Sequence, residues 1–280
     1  MAKNIYVLYH AHCTDGTGSK YAAWRKFGNK AKYIAVAYGK PMPELELGSE
    51  IYIVDFSYPK AVLEAMNAEH ASVTVLDHHK TAEADLKDLP YCHFNMDKSG
   101  CVMAWEFFHP GITTPALLLD IQDRDLWLFK RPNSKAIHAA LQLLDGNMED
   151  WDLAAKGVGH YQKLVESGNL LLKRQDKAVK SAVDHKVKVT TLFGHKCGLI
   201  NANDLSSEIG CGLYDSKALN VDFALIYCIT KENSVLLSLR SKGDFDVSAL
   251  AAKFGGGGHK NAAGGQTDID TLVKILKEEM

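Results

Sequence analysis

Acidic, imidazole and thiol side chains recur along the chain at places that could seat metal ions: His10, Cys13 and Asp15, then Asp55, then Asp77, His78 and His79, and later Asp123. Several directly follow short apolar runs, at residues 5–8, 51–54 and 73–76. Hard carboxylate oxygens mixed with imidazole suit manganese or magnesium, whereas all-thiolate sets select zinc or iron–sulfur clusters. His10, Asp15, Asp55, His78 and Asp123 are enough to hold two divalent cations, with one carboxylate bridging. Two such ions about 3.5–4 Å apart activate a water and neutralise both the attacking and leaving oxygens of a phosphoryl displacement. Taken singly, each residue has a plainer use, Asp55 as a turn or helix cap and the histidine pair as polar surface. Their joint placement after apolar runs favours the metal.

A second unusual stretch is the glycine run Gly255, Gly256, Gly257 and Gly258, followed by His259, Asn261 and the pair Gly264 and Gly265. Four glycines cost backbone entropy and fill no core, so a tight loop whose bare amides approach a ligand is expected. Successive N–H groups there suit a phosphate, with His259 and Lys260 adding a donor and positive charge. The alternative is a flexible linker. Apolar, helix-like stretches at 247–254 and 269–275 on either side favour the ligand loop.

The elements that must position these residues fall into two patterns. In the first half, β-like runs at 5–8, 33–37, 51–54 and 73–76 alternate with helix-like runs at 18–27 and 60–67, the pattern of a parallel sheet with crossover helices. In open parallel sheets the carboxyl ends of the strands form the ligand crevice, so the charged clusters should converge. Helical spacing dominates from Gly100 to about Asp184, and 161–184 reads as one long charged helix. Strand-like runs at 187–192, 197–201, 223–230 and 235–240 follow. The expected α/β organisation is a catalytic domain over 1–150, a helical connector over 151–185 and a smaller α/β domain over 186–280.

At 280 residues and 46% hydrophobic content, the chain can bury a sizeable core in two domains. No apolar run approaches the ~18 residues of a membrane span, and residues 1–9 lack the layout of a secretory signal, so the cytoplasm is expected. A formal charge of −2 argues against a broadly basic nucleic-acid surface. Six scattered cysteines without a C-x-x-C pair point to a reducing compartment and no structural zinc. The four tryptophans, Trp24, Trp105, Trp127 and Trp151, read as core rather than as stacking platforms.

Several of these motifs together resemble the DHH phosphoesterases. Asp77-His78-His79 after an apolar strand is similar to the signature of that family, and Gly256-Gly257-Gly258-His259 is similar to its associated C-terminal domain. His10-x-x-Cys13-x-Asp15-Gly16, Val54-Asp55 and Ile121-Gln122-Asp123-Arg124-Asp125 resemble the first, second and fourth motifs, in the expected order. The resemblance implies a metal-dependent phosphodiesterase with its site between two domains. One ion would be held by His10 and Asp55, the other by Asp15, Asp55, His78 and Asp123, so that Asp55 bridges. His79 would contact the scissile phosphate, while Arg240, His259 and the glycines would hold the substrate's phosphates.

Cys13 departs from the family pattern, since many members carry an Asp there and the spacing from His10 is one residue short. It is either a thiolate ligand favouring a softer ion, or a bystander with His12 in its place. In the fourth motif the family register favours Asp123, with Asp125 as the alternative. Ser99-Gly100 reads as a helix N-cap or a phosphate-facing helix start. The expected cofactors are two divalent cations, Mn2+ ahead of Mg2+. The expected substrate is a short oligonucleotide or cyclic dinucleotide, with no membrane partner, and a homodimer is compatible with the sequence. Alternatives are a single-strand exonuclease of the RecJ type, which would want a basic groove with stacking aromatics, a nucleotide phosphatase, and a non-catalytic nucleotide sensor.

Overall fold

Tyr6, Val7 and Leu8 are apolar on both faces of their strand and almost completely buried, as a strand covered by helices on each side requires. In the computed structural model, which describes residues 4–144 and 146–277, they form the middle of β1 (Ile5–His10). The chain continues through α1 (Thr14–Phe27), a single 3-10 turn, β2 (Ala31–Val36), β3 (Glu50–Val54), α2 (Lys60–Glu69), β4 (Ser72–Asp77), α3 (Lys80–Leu86) and β5 (Cys92–Phe94). These strands make one sheet in the order β2-β1-β3-β4-β5, with every neighbouring pair parallel. The chain leaves β1 toward one edge and resumes at β3 on the other side. That reversal is a topological switch point, where the connections at the strands' carboxyl ends diverge and open a crevice. His10 ends β1, Asp55 follows β3 and Asp77 ends β4.

Alternation along the strands divides two cores. On one face Val7, Val54 and Leu76 pack with Tyr21 and with α4 (Gly100–Phe108) and α5 (Ala116–Asp125). On the other, Leu8, Ile51 and Ile53 pack with Leu63 and Met66 of α2 and Leu86 of α3. The helical middle comprises α4 and α5, α6 (Ser134–Leu141), α7 (Met148–Lys156) and the 28-residue α8 (Val158–His185). Trp105 and Trp151 are core residues there.

The chain divides into two compact units after Leu172, within α8. Val165 of α8 joins the core of the first unit, whereas Ala182 packs with Ile200, Ile209 and Leu213 of the second. The second unit holds β6 (Lys188–Leu192), β7 (His195–Asn201), α9 (Ser206–Asp215), β8 (Phe223–Ile229), β9 (Val235–Ser241), α10 (Ser248–Ala252), β10 (Gly257–His259), β11 (Ala262–Thr267) and α11 (Ile269–Leu276). Its mixed sheet runs β10-β11-β9-β8-β7-β6, with β7 and β8 parallel and the other neighbours antiparallel. The α/β class, the parallel first sheet and the second sheet in the C-terminal part agree with the sequence reading. No described helix is long and apolar enough to cross a membrane.

The glycine run departs from that reading. Instead of a tight loop, Gly257, Gly258 and His259 form β10, paired antiparallel with β11. A Cβ on Gly256 would lie 1.9 Å from the Gly264 carbonyl oxygen, and one on Gly258, at φ +140°, would lie 2.7 Å from that of Ala262. Glycine is therefore required for two backbones to approach, whatever else the run does. Gly256→Ala should destabilise the second unit by roughly 1–3 kcal/mol, the usual cost of overpacking. A melting temperature equal to that of the unsubstituted protein would contradict this close approach.

Candidate active site

Asp55 stands at the centre of the crevice. Its backbone is left-handed, φ +57°, while its N–H donates to the Leu76 carbonyl at 2.9 Å. A non-glycine residue in that region carries strain of order 1–3 kcal/mol, tolerated where the surroundings fix it. Gly100 makes room: a Cβ there would lie 2.5 Å from the Asp55 Cβ. One Asp55 oxygen lies 3.1 Å from His78 Nε2, and the other lies 3.5 Å from His10 Nδ1.

Asp15 enters from the first turn of α1 and is completely buried. The turn that delivers it packs tightly, since a Cβ on Gly16 would lie 2.2 Å from the His10 carbonyl oxygen. Its two oxygens accept the backbone N–H groups of Gly100 at 2.6 Å and Cys101 at 3.0 Å. The exposed amides at the start of α4 thus meet a carboxylate, as helix N-termini favour. The Ser99-Gly100 pair marks that helix start, and its ligand is a side chain of the same chain.

Three carboxylates surround one imidazole nitrogen. His78 Nε2 lies 3.1 Å from Asp55, 3.5 Å from Asp15 and 3.6 Å from Asp125. Burial lowers the His78 pKa, but its hydrogen bond to Asp55 and the surrounding carboxylate charges outweigh this and push it up to about 10. Burial and the charges of Asp55 and Asp125 push the Asp15 carboxyl well above its ordinary value. Burial likewise raises Asp125. Burial and mutual repulsion thus disfavour charge on Asp15 and Asp125, while the neighbouring carboxylates favour positive charge on His78.

Asp77 has a different task. It is fully buried and accepts from Ser57 Oγ at 2.6 Å and from the His78 backbone N–H at 2.7 Å. Its Oδ1 lies 2.7 Å from His79 Nδ1, fixing the ring's orientation. Burial opposes the charge on Asp77, yet the His79 contact holds its pKa below the ordinary value, while His79 rises to about 9 despite its own burial.

Asp123, expected as a ligand, is turned elsewhere. Its carboxylate accepts the backbone N–H groups of Lys130 at 2.8 Å and Arg131 at 3.1 Å, fastening the segment that follows α5. Asp125 faces His78 instead. Two residues along a helix rotate a side chain by roughly 200°, so only one of the pair can point into the crevice. The Arg124 guanidinium lies over the Trp127 ring at 4.5 Å.

The donors fit divalent cations. His10, Cys13 and Asp55 offer ligand atoms within 4.8 Å of one another, as do Asp15, Asp55 and His78, and Asp55 is common to both sets. His10 Nδ1 and Asp55 Oδ2 are buried without a hydrogen-bond partner among the described residues, as is Asp125 Oδ2. Buried carboxylate oxygens left in that condition are what a metal ion satisfies. Burial, followed by the charges of Asp55, Asp125 and Asp15, raises the Cys13 thiol well above its usual value.

In the second unit Arg240, Ala262 and His259 occupy one cross-strand row, through the registers Arg240 with Ala262 and His259 with Ala262. Side chains along such a row share a face of the sheet, so Arg240 and His259 project together with only an alanine between. The Arg240 guanidinium donates to Ser207 Oγ at 3.1 and 3.3 Å, and its stem crosses Gly210, where a Cβ would lie 2.6 Å from Cγ. Lys260 pairs with Asp244 at 2.8 Å, and Asn261 bonds Ser241 at 2.9 Å. Nothing in the spacing of the sequence singled out Ser207.

The DHHA1 domain matches residues 214–280, the segment that carries Arg240, the glycines and His259. With an Asp-His-His triplet at the end of β4 and this domain downstream, the assignment is made. The chain belongs to the DHH phosphoesterase family. Among relatives of the chain, the uncharacterized protein R106 of Acanthamoeba polyphaga mimivirus is 31% identical over 284 residues, covering 92% of this chain and 66% of that protein. Oligoribonuclease NrnB of Bacillus subtilis (strain 168) is 23% identical over 292 residues, covering 93% of this chain and 72% of NrnB. The chain thus spans about two thirds of the length of the first of these relatives. The pGpG-specific phosphodiesterase PggH of Vibrio cholerae shares the fold, with a TM-score of 0.52, 15% identity and coverage of 99% of this chain and 97% of PggH.

Metal affinity should rise with pH. Asp15, Asp125 and His78 have raised pKa values without metal and must shed protons to ligate, so binding releases protons and higher pH favours it. Calorimetric titration of Mn2+ in buffers of different ionisation enthalpy measures that release, and an affinity flat with pH would contradict it. Asp125→Ala should weaken Mn2+ binding at least tenfold, the scale of a lost ligand or supporting group. Asp123→Ala should instead lower the melting temperature more than it lowers affinity, and the reverse ranking would restore Asp123 as the ligand.

Proposed function

We propose that the protein is a divalent-metal-dependent phosphodiesterase that hydrolyses short oligonucleotides or cyclic dinucleotides. The observation that carries this reading is the crevice at the switch point, where Asp15, Asp55 and Asp125 surround His78 and leave buried oxygens unpartnered. An oligoribonuclease among the relatives and a pGpG-specific phosphodiesterase of the same fold support this substrate class. So does the formal charge of −2, which suits a substrate with few phosphates better than a long strand.

His10, Cys13 and Asp55 would hold one ion, and Asp15, Asp55, His78 and Asp125 the other, with Mn2+ the proposed metal and Asp55 shared. Bound there, the ions supply Lewis-acid activation of water and neutralise charge on phosphoryl oxygens. Asp77 orients His79, which takes the scissile phosphate through Nε2. Arg240, with a planar fork matched to phosphate oxygens, acts with His259 and the Gly256–Gly258 backbone on the substrate's other phosphates. Ser207 holds the Arg240 guanidinium ready for that contact.

The test is a panel of a dinucleotide, a cyclic dinucleotide and a long single strand, each with Mn2+. Cleavage of the short members should fall to background in Asp55→Ala, and Arg240→Ala should raise KM more than it lowers kcat. Faster cleavage of the long strand, with a steep salt dependence, would assign an exonuclease instead. Binding of dinucleotide without hydrolysis under any divalent ion would assign a sensor.

A further inference from the structure

An aromatic ring that none of the motifs includes stands at the edge of the crevice. Tyr38 lies two residues beyond the end of β2, the parallel neighbour of β1, on the side of the sheet where His10 and Asp55 emerge. Its ring centroid is 4.5 Å from that of Phe56, inclined at 37°. Phe56 is itself buried at 1% exposure and packed edge-to-face against Tyr58. The Tyr38 ring also meets two motif histidines edge-on, His10 at 5.5 Å and His79 at 6.0 Å.

Despite these contacts Tyr38 is 53% exposed, more than Phe107 at 43%, the other markedly exposed aromatic among the described residues. A single exposed aromatic is ordinary on a protein surface. This one is supported by a buried ring beneath and placed beside the histidine proposed to take the scissile phosphate, while much of it remains open to solvent. A rigid side chain with two torsions, held in that way, offers a stacking surface at small entropic cost. A base one sugar away from a phosphate at His79 is the group that would meet it.

We infer that Tyr38 is the stacking platform for a nucleobase flanking the scissile phosphate, and so selects nucleotide substrates over other phosphodiesters. The inference rests on the proposed function and identifies the part of the substrate that the crevice recognises besides phosphate. Aromatic stacking on a base tolerates all four bases, because each has a π-face. Tyr38 therefore confers preference for a base without choosing its identity.

The experiment compares the unsubstituted protein and its Tyr38→Ala and Tyr38→Trp variants on the dinucleotide ApA and on dinucleotides abasic on one side or the other, with Mn2+. The quantity read is the ratio of kcat/KM for ApA to that for each abasic substrate. Tyr38→Ala should lower the ratio for one of the two abasic sides at least fivefold, mainly through KM for ApA, and Tyr38→Trp should restore it. Equal losses on ApA and both abasic substrates would overturn the inference, leaving Tyr38 as a prop for His10 and His79. Failure of Trp to restore the preference would also overturn it, by assigning the effect to the hydroxyl. If the unsubstituted protein cleaves none of these and fails to bind a phosphorothioate ApA, the proposed function falls and the platform with it. Cleavage of ApA with ratios unmoved in Tyr38→Ala removes the platform alone.

Discussion

Three carboxylates held around a single imidazole, in a crevice that excludes most water, set the terms for the rest of the first unit. Like charges brought that close repel strongly where the dielectric is low, and Asp15 and Asp55 are almost wholly stripped of hydration. The surrounding architecture supplies compensation. The start of α4 donates two amides to Asp15, His78 supplies positive charge, and Ser57 with the amide of His78 secures Asp77. What these groups leave uncompensated at Asp55 and Asp125 is the requirement for a cation.

The parallel sheet makes this convergence possible. Only at a switch point do adjacent strands release their connections in opposite directions, leaving several carboxyl ends open together. His10, Asp55 and Asp77 arrive on rigid strand ends, whereas Asp15 and Asp125 come from helices packed on one face. Asp123 contributes by fastening the segment after α5, which fixes where the helix stops and so which way Asp125 faces. A carboxylate that never enters the crevice thus helps define it.

Much of this arrangement was legible in the residue order. Apolar runs followed at once by Asp or His located the strand ends, because a strand buried on both faces has nowhere to place a charge except its termini. The choice between Asp123 and Asp125 was not legible, since it depends on the phase of α5 and on amide donors from Lys130 and Arg131 that fold back upon it. β10 and β11 escaped notice for a related reason. Strands of glycine and alanine lack the β-branched and aromatic signal, and their pairing is enforced by close backbone approach. Short α3 and β5 gave too few residues for a period to show. Ser207 and Tyr38 carry no motif at all; only the fold brings one beside Arg240 and the other beside His79.

Gly16 and Gly100 have a consequence for reading related sequences. Each stands where a single methyl group would collide, one with the backbone of His10 and the other with the Asp55 side chain. Neither neighbour can give way, because one is a central strand and the other a strained residue at the centre of the charge cluster. The crevice therefore has no alanine intermediate on any substitutional path through these two positions. In a gene that has ceased to be under selection, loss of either glycine would mark the closing of the pocket even while the Asp-His-His triplet remained intact. These two small residues are therefore as necessary to an open crevice as the charged ones that line it.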